Sequence, residues 1–385
     1  MCKVPASFPP MAGLTNRPRL RRLIERAARD ALYPVGAPNQ PAPMLPPAPE
    51  PPPAPEIPPE PPRASLPQAS DFARELQPGS LDVERATVSS LLYERLSEED
   101  VAKVERRLSE VPELDSNYAS APTTALRSFL VLAYGVWLGV PAVLEKTGLI
   151  LDQPPEKVHA MARGPLAAAG GLYEADLLVD ALASAGVDIE TIRTGLDFGC
   201  SSGRVARVLA AAYPKTRWCG CDPNVEAIEW ATENLPAIDF FASSDVPPLP
   251  LADGSLDAAY AISIWSHFAP ELGLRWFEEM HRLIRPGGNL VLTTHGMTSV
   301  AYYAQLSLRT PQQSDEIVGA LYRSGWWYAP EFGEEGDWGV VNPDWGTAFL
   351  SPEWMLTQLC PRWRVLEFVP GRNQHNQDVY VLERV

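Results

Sequence analysis

The chain is predicted to be an α/β protein: a parallel sheet covered by helices, preceded by a helical region and a proline-rich tether. Three observations carry this. From Thr194 onward, short apolar runs alternate with helix-forming stretches at a spacing that suits parallel strands joined by helical crossovers. The run Leu196–Gly203, L-D-F-G-C-S-S-G, ends a strand in a glycine-rich turn and opens directly into a helix. The last two strand-like runs, Pro361–Pro370 and Asp378–Glu383, are joined by too few residues for a crossover, so they pair antiparallel.

Taken in order, residues 1–33 hold an amphipathic helix candidate, Leu14–Tyr33. Leu20, Leu23, Ile24 and Ala27 share one face, and six arginines from Arg17 to Arg29 make it basic. It reads as a solvated tail or as a docking peptide for a protein partner or an anionic surface. Residues 34–80 form a linker. Between Pro34 and Pro67, 16 of 34 residues are proline, and each lacks an N–H and fixes φ, so neither helix nor sheet continues there. Residues 81–192 read as a helical subdomain on the acceptor side, with a helix start at Ser97-Glu98-Glu99-Asp100 and breaks at Gly148 and Pro154-Pro155. The apolar run Ala125–Val140 contains Arg127 and is shorter than the ~20 residues a bilayer needs, so it reads as a buried core helix.

Residues 193–385 hold the sheet. Strands are expected near 194–199, 216–222, 238–242, 256–264 and 289–294, with helices at 203–213, 224–234 and 270–284. Arg285-Pro286-Gly287-Gly288 is expected to be a turn. A tryptophan-rich segment, Gly296–Cys360, separates the fifth strand from the closing hairpin.

Charge and cysteines narrow the function. A formal charge of −16 disfavours nucleic acid as the main partner. Cys219-Gly-Cys221 lacks the further Cys or His partners of a zinc site, so small buried thiols are expected, and no metal-ligand set at diagnostic spacing appears. Met1–Pro10 lacks the apolar core of a secretory signal, which with the cysteine usage points to a soluble, cytoplasmic protein.

From Thr194 on, the chain resembles the class I S-adenosylmethionine-dependent methyltransferases. The likeness runs through L-D-F-G-C-S-S-G-R-V-A-R, C-G-C-D-P-N, P-P-L-P-L-A-D-G-S-L-D-A-A-Y-A-I-S-I-W-S-H-F and L-I-R-P-G-G-N-L-V-L-T-T-H, in order along about a hundred residues. The resemblance implies a Rossmann-like, seven-stranded methyltransferase sheet with an antiparallel last hairpin, and S-adenosyl-L-methionine as cofactor. The ending N-Q-H-N-Q-D-V-Y-V-L looks like methyltransferases of bacterial surface-polysaccharide gene neighbourhoods. One departure is Ser201, where the family commonly has glycine. A dinucleotide fingerprint fits less well, since it would need glycine at Ser201 and at Arg204.

The resemblance places the methionine moiety on the Gly199–Gly203 turn, with Cys200 and Ser201 in it, and Asp197 near the amino group. Asp222 would hold the ribose hydroxyls, Ser243 and Ser244 with Asp245 the adenine, and Ile262 and Ser263 would back the cofactor. A hydroxyl acceptor needs a general base, and histidine suits the task. Of His159, His267, His281, His295 and His375, His267 and His295 follow strands four and five at the cofactor edge; His267 is the first candidate and His295 the second. His281 reads as structural. Trp326, Trp327, Trp338, Trp345 and Trp354 are candidates for an acceptor platform or for core filling. Gln377-Asp378 would hold acceptor hydroxyls or shape the turn. Methyl transfer to a sugar or other small-molecule hydroxyl is the leading expectation. The alternatives are N-methylation of an amine or peptide, and a cofactor-binding partner protein without activity.

Overall fold

The computed structural model describes residues 86–121, 123–156, 158, 165–332 and 341–385. Residues 1–33 and the proline-rich linker lie outside the described residues, as do His159 and Trp338. The described residues lie within one compact unit.

The sheet has seven strands: β1 (Thr194–Phe198), β2 (Arg217–Asp222), β3 (Asp239–Ala242), β4 (Leu256–Ala261), β5 (Ile284–Thr294), β8 (Trp363–Asn373) and β9 (Gln377–Arg384). Their order is β3-β2-β1-β4-β5-β9-β8. β1 to β5 run parallel, whereas β9 is antiparallel to both β5 and β8. The order reverses between β1 and β4, and in open α/β sheets that switch point leaves a crevice at the carboxyl ends of the strands. This is the seven-stranded Rossmann-like methyltransferase fold.

Two local differences from the sequence reading have clear causes. β4 stops at Ala261 instead of running to residue 264, because Ser263 takes a left-handed φ of 62° that no strand continues. β5 begins at Ile284, and Arg285-Pro286-Gly287-Gly288 is a bulge inside it. Ile284 pairs with Leu256 and Asn289 with Ala258, so the intervening residues on β5 are in excess and loop out, with Gly287 at φ 74°.

One face of the sheet is covered by α1 (Thr87–Tyr93), α2 (Glu98–Ser109), α3 (Pro112–Ala119), α4 (Thr124–Trp137), α5 (Pro141–Thr147) and α6 (Pro165–Ser184), together with α7 (Ala206–Ala212). Their side chains and those of Tyr260, Val291, Val379 and Val381 form one hydrophobic cluster, so these helices share a core with the sheet. α1 is pinned to α6 through its first turn. Asp180 accepts from the N–H groups of Ala86 and Thr87 and from the Thr87 hydroxyl, and Asp176 accepts from the Ser89 N–H (2.9 Å) and hydroxyl (2.6 Å). Two carboxylates at a helix N-terminus satisfy donors that have no partner within the helix. α2 starts on the expected signal, with a complete capping box between Ser97 and Asp100. No single described helix is long and apolar enough to cross a membrane; α4 and α5 meet at 111°.

The other face carries α9 (Pro270–Leu283), whose Trp276, Phe277, Met280 and Leu283 bury against Leu290, Leu292 and Trp265. Trp265 stacks on Phe277 at 4.5 Å. α8 (Val225–Asn234) follows β2. The tryptophan-rich segment folds into α10 (Met297–Gln305), α11 (Pro311–Ser324), a separate two-stranded hairpin of β6 (Trp326–Ala329) with β7 (Thr347–Leu350), and α12 (Pro352–Leu359).

Candidate active site

β1 and β2 deliver two carboxyls to the switch point, one residue from the end of β1 and at the end of β2. The turn between β1 and α7 carries left-handed residues at Gly199 (φ 82°), Ser201 (φ 49°) and Gly203 (φ 74°). Gly203 has no room for a Cβ, which would meet the Phe240 ring at 2.7 Å, and at Gly199 a Cβ would strike the Ile264 side chain. Ser201 accepts a conformation that glycine takes freely, and that strain is on the order of 1–3 kcal/mol. Its N–H donates to Asp222 Oδ2 at 2.7 Å, which holds the turn against the end of β2. The turn therefore survives the serine. The amides of Gly199 and Cys200 both donate to the Cys221 carbonyl, at 2.9 and 3.0 Å.

Asp222 Oδ1 accepts from the Asn224 N–H at 2.9 Å. Each carboxylate oxygen keeps a further lone pair, so Asp222 still has capacity for two ribose hydroxyls. Burial raises its carboxyl to about 6. Asp197 is buried, and its Oδ2 has no hydrogen-bond partner. Burial pushes this carboxyl up to about 7, an effect that the neighbouring Tyr260 hydroxyl and, less so, the Arg204 guanidinium only partly offset. A buried carboxyl oxygen without a donor is the arrangement an ammonium group would satisfy. The orphaned Asp197 oxygen, the cramped glycines and the spare capacity of Asp222 together fit S-adenosylmethionine. Nothing in the sequence pointed to the neighbours of Asp197: Glu174 on α6 forms an ion pair with Arg204, and both are spatial contacts between elements far apart in the chain.

Ser243 continues from β3 and donates its N–H to the Asp222 carbonyl at 3.0 Å. The Ser244 hydroxyl turns back to the Val246 carbonyl, and Asp245 accepts from Asn342 Nδ2 at 2.8 Å. That last bond ties the expected adenine loop to the segment carrying Trp345. Ile262 packs against the helical-face cluster, and Ser263 begins the loop that leads to His267.

The two candidate bases are placed differently. His267 is buried, stacked on Trp345 with ring centroids 4.7 Å apart, and its Nδ1 lies 2.8 Å from the Gly346 carbonyl oxygen. A carbonyl only accepts, so Nδ1 carries the proton and Nε2 the lone pair. Burial lowers the imidazole to about 4, so it is neutral near pH 7. His295 is fully buried with both nitrogens engaged: Nδ1 at 3.2 Å from the Ala348 carbonyl and Nε2 at 3.0 Å from the Tyr303 hydroxyl. Neither nitrogen is left to take a proton from an acceptor. The sequence reading ranked His267 first; the bonds that distinguish the two rings come from β7, its preceding loop and α10. His281 meets Arg362 and the edge of Trp363 at the outer side of α9, and His375 lies in the β8–β9 loop at φ 54°.

The tryptophans divide as well. Trp326 and Trp354 pack together at 4.4 Å in the α9 core, and Trp327 packs on Phe349. Only Trp345 among the described ones stands beside His267. Trp326, Trp327 and Trp354 thus pack against other rings of the long excursion, away from His267. Gln377 does not present a free amide either, since its oxygen and nitrogen are both bonded to protein groups. Among the described residues no group of three or more His, Cys, Asp or Glu side chains is placed to hold a metal ion.

Residues 196–288 match the model of a methyltransferase domain. An uncharacterised 37.1 kDa transposon protein from Streptomyces fradiae is 38% identical over 121 residues, covering 30% of this chain and 32% of that protein. A malonyl-[acyl-carrier protein] O-methyltransferase from Hahella chejuensis is 29% identical over 100 residues, covering 26% of this chain and 35% of that enzyme. The chain thus spans about a third of the length of these curated relatives. A solved S-adenosylmethionine-dependent methyltransferase from Clostridium acetobutylicum aligns over 55% of this chain and 90% of its own, at 10% identity and a TM-score of 0.36. Residues 196–288 are thus similar to a methyltransferase domain, and they lie in a seven-stranded Rossmann-like sheet with an antiparallel last hairpin.

Proposed function

We propose that this protein transfers a methyl group from S-adenosylmethionine to a hydroxyl of a sugar, a polysaccharide or another hydroxylated small molecule. The observation that carries the reading is His267, whose Nδ1–H is committed to Gly346 and whose Nε2 therefore keeps its lone pair as a base at the cofactor edge of the sheet. S-adenosylmethionine, when bound, supplies a methyl group already activated by its sulfonium and a neutral leaving group. Asp222 would hold its ribose hydroxyls, the Gly199–Gly203 turn and Asp197 its amino-acid end, and Ser243, Ser244, Ile262 and Ser263 its base and flank. What the chain itself adds is position and proton removal. His267 Nε2 takes the acceptor proton, and the imidazolium so formed lies against the face of Trp345, which favours a cation.

The net charge of −16 favours a small-molecule acceptor over nucleic acid. The free, buried thiols of Cys200, Cys219 and Cys221 suit a reducing cytoplasm. The basic segment within residues 1–33 is proposed to dock a protein partner or an anionic surface. The test is incubation of cell extract with labelled S-adenosylmethionine, with the labelled product identified by mass. A methylated hydroxyl supports the reading. A methylated amine, or turnover that survives loss of both His267 and His295, replaces it with N-methylation. Binding without any product leaves a cofactor-binding partner protein.

A further inference from the structure

The loop from Ser263 to His267 meets both halves of the candidate site. Ile264 fills the space that Gly199 leaves open, and His267 ends the loop against Trp345. The loop starts from a serine held at φ 62°, a conformation an L-residue keeps only when its surroundings impose it.

Those surroundings are a closed ring of hydrogen bonds from β5 and β9. The Ser263 N–H donates to Thr293 Oγ1 at 2.8 Å, and the Thr293 hydroxyl donates to Gln377 Oε1 at 2.7 Å. Gln377 Nε2 donates back to Ser263 Oγ at 2.7 Å. Asn373 Nδ2 adds a donor to Gln377 Oε1 at 3.2 Å, which fixes which end of the amide faces which partner. Ser263 Oγ and Ser266 Oγ share a 3.0 Å bond, carrying the restraint to the residue before His267. Gln377 and Thr293 are both buried, so water does not compete for these bonds.

We propose that Gln377 is a positioning residue: its amide clamps Ser263 in the left-handed conformation and so holds the Ser263–His267 loop in the shape that cofactor and acceptor require. The assignment rests on the methyltransferase reading for its ligand, not for its geometry. The closing hairpin thereby sets the site without touching substrate. If the clamp is lost, the loop is in its binding shape only part of the time, and apparent affinity falls by that fraction.

The test uses the full chain and S-adenosylhomocysteine in calorimetry, with amide hydrogen exchange of residues 263–267 measured on the unliganded protein. Gln377→Leu is expected to bind about tenfold more weakly and to exchange faster in this loop, as a partly populated competent state requires. Ser263→Gly in the Gln377→Leu background is expected to bring affinity back to within about threefold of the parent while loop exchange stays fast, because glycine takes the left-handed form without strain but does not hold it. A residue that only packs would show no such rescue. Ser263→Ala, which removes a single hydroxyl, checks the same clamp if the leucine variant does not fold, and is expected to weaken binding and speed exchange. Unchanged loop exchange in the Gln377 and Ser263→Ala variants overturns the proposal, as does a loss of affinity that glycine fails to restore. If the parent protein binds no S-adenosylhomocysteine, the methyltransferase reading falls, and the exchange data still decide the clamp.

Discussion

At the scale of single residues, the site is governed by what burial does to charge. Burial raises the Asp197 carboxyl to about 7 despite the Tyr260 hydroxyl and the Arg204 guanidinium nearby, and the Asp222 carboxyl to about 6. An ammonium group favours the ionised carboxylate, so affinity for S-adenosylhomocysteine should rise as pH increases from about 5.5 to about 8 and then level off. Asp197→Asn should weaken binding by about tenfold or more at pH 8 and remove the upper part of that rise, as the loss of a buried charged pair implies. Calorimetry across the pH range reads both. His267→Ala should keep cofactor affinity and lower turnover by about a hundredfold or more, the usual yield of a general base; turnover within a fewfold of the parent removes His267 as the base. Ser201→Gly should be neutral or stabilise the fold by up to about 1 kcal/mol in urea, because glycine relaxes the left-handed turn. Gly199, Gly203 and Asp222 were legible in the sequence because strand–turn–helix spacing fixes them locally. The bonds that distinguish His267 from His295 were not, since they involve the carbonyls of Gly346 and Ala348, which reach the two rings from segments more than fifty residues away.

At the scale of elements, alternation of strands and helices revealed the parallel part of the sheet, and the short connection Gly371–Gln377 revealed the antiparallel hairpin. What escaped was tertiary in origin. The β5 bulge at Arg285–Gly288 exists because Ile284 keeps its pairing with Leu256, and a turn motif alone says nothing of that. The β6–β7 hairpin joins Trp326 to Leu350 across a long excursion whose local pattern carries no pairing signal. α6 is the element that reaches furthest. Glu174 pairs with Arg204 beside the cofactor turn, while Asp176 and Asp180 hold the start of α1. Asp180→Ala would strand three donors, the N–H groups of Ala86 and Thr87 and the Thr87 hydroxyl. The expected loss is about 1–3 kcal/mol in urea denaturation, with faster exchange confined at first to α1.

At the scale of the whole molecule, the same buried groups dictate how stability follows pH. Burial holds Asp176, Asp197 and Asp378 at about 7 and Asp222 at about 6, against about 4 for a free carboxyl. Between pH 4 and 7 the folded chain therefore keeps protons that the unfolded chain has released, and stability falls as pH rises through this window. His267 and His295 act in the opposite sense. Held at about 4 and about 3, they refuse protons that the unfolded chain takes up below about 6.5, and this weakens the fold as pH drops. Four carboxyls outweigh two imidazoles in the shared window, and a formal charge of −16 adds repulsion that mild acid relieves. The unliganded protein should accordingly melt higher at about pH 5.5 than at about pH 8; below about pH 4.5 the gain ends as the unfolded carboxyls protonate too, and the midpoint turns down because His267, His295 and Asp100, the last held at about 2, refuse protons that the unfolded chain takes up. S-adenosylhomocysteine should shift the maximum toward neutral pH, because its ammonium group favours the ionised Asp197. Scanning calorimetry with and without the ligand measures both curves. A midpoint that climbs steadily from pH 5 to 8 in the unliganded protein would mean that these carboxyls are already ionised in the fold, and an ionised Asp197 already paired inside the protein would leave no vacancy for the cofactor's amino group.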